Sequence, residues 1–123
     1  MSEREWPSID GVDGWFQGNI EPFTDEYFLI EGTYTIFTGR LTRAQDDALG
    51  QIFPQLPGQF RINPKDGMPY WYGQSDDEIP HLTASFEPSG IVVSGVVQQK
   101  DWAEWDAKFR QLVDEAKIPR FPA

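Results

Sequence analysis

Residues 79–116 read IPHLTASFEPSGIVVSGVVQQKDWAEWDAKFRQLVDEA, and the reading of this stretch decides the fold. Leu82, Ala84 and Phe86 alternate with His81, Thr83 and Ser85, so a period of two places the apolar set on one face of a strand. Glu87-Pro88-Ser89-Gly90 has turn composition. Residues 91–97 are β-branched apart from Ser94 and Gly95, as in a strand buried on both faces. The two strands pair as a hairpin. Asp101 and Glu104 have the spacing of a capping box, which predicts a helix starting there. Trp102, Trp105, Phe109, Leu112, Val113 and Ala116 recur at steps of three and four and form its apolar stripe, with Glu104, Asp106, Lys108, Arg110 and Gln111 mostly off it. The phase of the two patterns seats Trp105, Phe109 and Leu112 against Val93 and Phe86.

Upstream, Thr42 reads as the N-cap of a first helix running to about Phe53, buried through Ala44, Ala48, Leu49, Ile52 and Phe53 and stopped by Pro54 and Pro57. Residues 27–41 hold β-formers at 33–38, with Glu31-Gly32 as a turn or bulge, and predict a strand pair or one long bent strand. Segments 59–63 and 68–73 predict a second hairpin around Pro64-Lys65-Asp66-Gly67, with Pro69 restricting its second arm to an edge or a late start. The segment IFTGRL at 36–41 echoes VVSGVV at 92–97, a pattern that suggests a strand-to-helix unit used twice.

The fold class that follows is α+β: an antiparallel sheet of about four to six strands with two helices packed on one face, in two layers. The chain reads as a single domain, 1–123. Within it, 1–26 is an irregular covering segment pinned by Trp6, Ile9, Trp15, Phe16, Ile20 and Phe23, 27–117 is the compact core, and 118–123 is a tail whose prolines forbid helix.

Composition narrows the function. There is no cysteine, which excludes disulfides, thiolate metal sites and a cysteine nucleophile. The N-terminal residues carry neither a basic nor an apolar run, and no window approaches the roughly 18 apolar residues of a membrane span. A cytoplasmic chain without a membrane partner is expected. Net charge is −10, the wrong sign for direct binding of nucleic acid. The acids cluster: 1–39 carries eight against Arg4 alone, and 66–87 carries five with no base. Charge segregated in this way could make one surface strongly negative.

Catalytic signatures are absent: no phosphate-binding glycine loop, no nucleophile elbow, no metal-binding histidine motif. His81 is the single histidine, and as a general base it would need an orienting carboxylate from Asp76, Asp77 or Glu78. Ordinary polar contacts on a strand face are the simpler reading. Asp76-Asp77-Glu78 lacks the alternating oxygen ligands of a Ca²⁺ loop, and Asp46-Asp47 reads as a solvated helix face. No catalytic residue, cofactor or metal is assigned. Tyr70-Trp71-Tyr72 runs through Gly73-Gln74-Ser75 into Asp76-Asp77-Glu78, three aromatics followed by three acids. At least one large aromatic is expected to face solvent unless the N-terminal segment covers it, and aromatic anchors with an acidic rim suit a basic protein partner.

Tyr70, Trp71, Tyr72, Asp76, Asp77 and Glu78 are therefore the candidate partner-binding residues. The function expected is that of a small acidic binding protein of the immunity or inhibitor type, blocking a basic partner such as a toxin nuclease. The alternatives are an anti-defence protein that mimics nucleic acid, and a small-ligand-binding or enzymatic domain with an aromatic pocket.

Overall fold

The computed structural model describes residues 15–119. The parts of the N-terminal and C-terminal segments beyond them, with Trp6 and Ile9, lie outside the described residues. Six strands form one antiparallel sheet: β1 (Phe16–Pro22), β2 (Tyr27–Tyr34), β3 (Arg61–Ile62), β4 (Pro69–Trp71), β5 (His81–Glu87) and β6 (Gly90–Gln98). Their spatial order is β1-β2-β6-β5-β4-β3. Two helices, α1 (Arg43–Ile52) and α2 (Gln99–Glu115), bury their apolar residues in one core against one face of this sheet. The result is a two-layer α+β fold.

The 79–116 stretch folds as its periodicity dictates. Glu87 pairs with Gly90 across a two-residue turn, and Leu82, Ala84 and Phe86 lie opposite Gly95, Val93 and Ile91 on the helix-facing side. Phe86 sits at the end of that side, partly exposed, against the ring of Phe53. Trp102, Trp105, Phe109 and Val113 are all buried, whereas Leu112 is half-buried. The helix begins at Gln99, earlier than the Asp101 spacing implied, and Gln98 supplies no side-chain cap. The strand runs straight into the helix, so backbone continuity takes the place of the expected capping box. A capping box does form at Thr42, whose Oγ1 accepts from Gln45 N at 3.1 Å while Gln45 Oε1 accepts from Thr42 N at 2.9 Å. On α1 only Leu49 and Ile52 are fully buried, and Ala44 is exposed.

The first half of the chain departs from its reading. Residues 16–22, expected to be irregular, form an edge strand paired along its whole length with β2. Gly32 is neither turn nor bulge but lies mid-strand between Gly18 and Val93. A Cβ there would come within 2.2 Å of the Phe16 ring, so glycine is needed for the ring to lie over the strand. Residues 36–41 make an isolated bridge and a short 3-10 turn at Thr38–Arg40, so the echo of 92–97, which lies wholly within β6, is not a repeated unit. At the other end, Ile118 is buried in the core and Pro119 O accepts from Phe37 N, which fastens the start of the expected tail.

The topology has one electrostatic consequence. Because β2 pairs with β6 rather than with β3, Glu21, Asp25, Glu26 and Glu31 lie toward the β1 edge of the sheet and Asp66, Asp76, Asp77 and Glu78 toward the β3 edge, instead of on one surface.

Candidate functional site

At the β3 edge the chain turns through Pro64-Lys65-Asp66-Gly67, as the sequence predicts. Gly67 takes a positive φ of 71° and donates its N–H to Asn63 O at 2.8 Å. Asn63 Oδ1 accepts from Lys65 N at 2.7 Å, and Asp66 Oδ1 accepts from Met68 N at 2.8 Å. These side-chain bonds hold a turn that has no core beneath it. Asn63 Nδ2 then donates to Gln74 O at 2.8 Å, tying the turn to the loop after β4. That loop is braced internally: Glu78 Oε1 accepts from Gln74 N at 2.8 Å, and Ser75 Oγ and O accept from Asp77 N and Glu78 N.

Turn and loop enclose an open groove of about 420 Å³ lined by Arg61, Lys65, Asp66, Asp76, Asp77 and Glu78, with Ile62 at its wall. Asp76, Asp77 and Glu78 are exposed, and so are Ile62 at 53% and Ile79 at 51%. Asp66 and Glu78 spend a carboxylate oxygen on local backbone, whereas among the described residues no hydrogen bond engages the carboxylates of Asp76 and Asp77. Four acids therefore meet two bases here. Among the described residues no group of three His, Asp or Glu side chains is placed to hold a metal ion.

The three aromatics do not form the expected anchor. Trp71 is 0% exposed; its ring meets Phe53, Phe60 and Trp105, and its Nε1 donates to Phe53 O at 3.1 Å. Tyr70 is also buried, on the helix-free side, where its hydroxyl donates to Asp66 Oδ2 at 3.1 Å and its ring lies 6.3 Å from that of His81. Tyr72 is half-buried and turns at a φ of 70° to donate its hydroxyl to Asp101 O at 3.3 Å. Alternation separates Tyr70 from Trp71 correctly, but Asp66 and the loop shelter the outward ring. The apolar groups that do reach solvent beside the acids are Ile62 and Ile79. His81 is buried too, with Nδ1 donating to the Glu78 backbone carbonyl at 2.7 Å, so it anchors the loop rather than meeting an orienting carboxylate.

Both tyrosines at this edge titrate late. Burial is the first cause for Tyr72, followed by repulsion from Asp101 and Glu104. For Tyr70 burial again comes first, then the hydrogen bond to Asp66 and the charges of Asp66 and Asp76. The fold thus favours the neutral phenols, so the stability they contribute is complete below the ordinary tyrosine value of about 10 and is lost as pH rises through the raised values. Alkaline titration of phenolate absorbance should show Tyr70 and Tyr72 ionising late, and Tyr72→Phe should remove one late phenol. Ionisation of all four tyrosines at the ordinary value would contradict this placement.

A polar cluster that the sequence reading placed on the surface lies in the core. Asp106 is 0% exposed; its Oδ1 accepts from Tyr34 Oη at 2.5 Å and from Arg110 Nε at 3.0 Å. The Arg110 guanidinium lies 5.3 Å from the centre of the Trp15 ring. The signal was present: Asp106 is four residues after Trp102 and three before Phe109, on the apolar stripe itself.

Comparison of the chain with protein-family models, with curated proteins and with solved structures finds no match.

Proposed function

We propose that this chain is a small acidic binding protein, of the immunity or inhibitor type, that blocks a basic protein partner such as a toxin nuclease. The observation that carries the reading is the exposed trio Asp76, Asp77 and Glu78 held on a braced loop beside exposed Ile62 and Ile79. A preformed loop with apolar groups next to solvated carboxylates matches the anatomy of an interface in which burial supplies affinity and charge speeds encounter. Binding rather than catalysis is the role proposed. The anchors are Ile62 and Ile79, in place of the enclosed Trp71.

The test begins with basic proteins retained by the immobilised chain from its source cells, followed by association kinetics of the purified pair. Asp76→Asn/Asp77→Asn/Glu78→Gln should slow association, and the difference should shrink as salt shortens the screening length from about 10 Å at 0.1 M towards about 3 Å at 1 M. Ile79→Ala should instead raise the dissociation rate, with little dependence on salt. A partner whose kinetics neither variant alters, with both variants folded, would remove this loop from the interface.

A further inference from the structure

The two ends of the sheet are finished differently. β3 is only two residues long and is followed by Pro64, a short edge that offers little backbone for pairing. β1 is seven residues long, pairs with β2 without a bulge, and has no lysine or arginine. Thr35 N donates to Trp15 O at 2.9 Å, which sets the phase of the β1–β2 ladder. Trp15, Gln17, Asn19 and Glu21 direct their backbone groups to β2, and the N–H and C=O groups of Phe16, Gly18 and Ile20 point the other way. Among the described residues no strand lies on that side.

Charge selects the occupant. From Trp15 to Tyr34 there are four acids, Glu21, Asp25, Glu26 and Glu31, and no base. Glu21 lies on the helix-free face of β1, and Glu31 lies on that same face directly across from Asn19. The other face of β1 carries Phe16 and the half-buried Ile20, beside the core. A second copy of the chain would bring four uncompensated acids against four.

We propose that β1 is a strand-addition site for an extended basic segment of a partner protein, whose residues alternate between apolar side chains beside Ile20 and lysine or arginine facing Glu21 and Glu31. Main-chain bonds to Phe16, Gly18 and Ile20 supply the affinity and the alternation supplies the selection. This surface is at the sheet edge opposite the 74–78 loop, and it rests on the function proposed above only for the sign of the partner's charge.

The probe is a capped heptapeptide of alternating lysine and valine added to the full chain. With the peptide added antiparallel to β1, residues directly opposite in the ladder share a face and exchange their bonds, so the valines oppose Phe16, Gly18 and Ile20 and their N–H groups point at β1. The expected result is slowed amide exchange at Phe16, Gly18 and Ile20 on binding. N-methylation of the valines should weaken binding at least about tenfold, since each lost main-chain bond carries measurable free energy, whereas N-methylation of the lysines should leave it within about twofold. Glu21→Gln and Glu31→Gln should each weaken it about twofold to fivefold, the range of an exposed ion pair. Asp76→Asn/Asp77→Asn/Glu78→Gln should leave peptide binding unchanged, which separates failure of this site from failure of the loop. Equal binding of the two methylated peptides would overturn the proposal by reducing it to charge attraction. Protection confined to residues 74–78 would overturn it as well, and so would a dimer of the free chain with its β1 amides already protected.

Discussion

Trp105→Ala should cost about 3–5 kcal/mol of unfolding free energy, the range for emptying a large aromatic site in a core. Trp105 is fully buried and stacks between Trp102, at 5.9 Å and 16°, and Phe109, at 5.4 Å and 12°. Its ring also meets Trp71 edge-on at 5.1 Å and lies 6.2 Å from Tyr34. It therefore joins α2 to β4 on one side of the sheet centre and to β2 on the other. Truncation leaves faces of four aromatic rings without contact, and rigid rings close a void poorly. Against a typical domain stability of about 5–15 kcal/mol the loss is a large share. Urea denaturation should show a lower midpoint with an unchanged slope, and Trp105→Phe should recover part of the loss. An unmoved midpoint would contradict the burial of this ring.

Asp106→Ala should be comparably damaging, at about 3–5 kcal/mol, because it removes the enclosed carboxylate that binds both the Tyr34 hydroxyl and the Arg110 guanidinium and so breaks the charged pair from its buried side. Asp106 is wholly enclosed, and its Oδ1 receives both the Tyr34 hydroxyl from β2 and Arg110 Nε from the next turn of α2. Without the carboxylate, Tyr34 Oη loses this acceptor within a core of aromatic rings, and Arg110 loses the negative charge beside it. Tyr34→Phe removes a donor and leaves the Arg110 pair, so it should cost less, about 1–3 kcal/mol. Urea denaturation of both variants, with the double variant completing the cycle, checks the coupling. A loss under about 1 kcal/mol for Asp106→Ala would mean that desolvation of the carboxylate already offsets its two bonds.

These effects also bear on function. Trp105 and Asp106 hold β2 and β4 to α2, and through them the two acidic edges of the sheet. A variant at either position would impair binding at both edges by loosening the platform, whereas a loop or β1 variant should act at one edge alone. Stability and binding measured on the same proteins distinguish the two cases.

The candidate site was only partly legible in the sequence. The turn at 64–67 and the exposure of Asp76, Asp77 and Glu78 follow from local chemistry: proline, glycine and solvated carboxylates state their preferences within four or five residues. The fate of Tyr70, Trp71 and Tyr72 does not. Alternation assigns them to two faces of a strand but says nothing about what covers each face. Here Trp105 and Phe53 enclose Trp71, while Asp66 meets Tyr70 on the other side. Asp106 was misplaced for a related reason. Its chemistry argued for water and its position argued for the core, and the position prevailed with Tyr34 and Arg110 both donating to its Oδ1.

By itself the sequence determined the β5–β6 hairpin, the α2 stripe, the Thr42 cap, the 64–67 turn and the two-layer α+β class. All of these rest on periodicity or on side-chain-to-backbone bonds between near neighbours. Only the tertiary structure decided that residues 16–22 are a strand, since Gln17, Gly18 and Asn19 have little strand preference and the segment is extended because β2 pairs with it. It also decided that β2 inserts between β1 and β6. That choice sends Glu21, Asp25, Glu26 and Glu31 to the edge opposite Asp66, Asp76, Asp77 and Glu78, because strand order is set by which faces can share one core, a relation between residues too far apart in the chain for any local pattern to record.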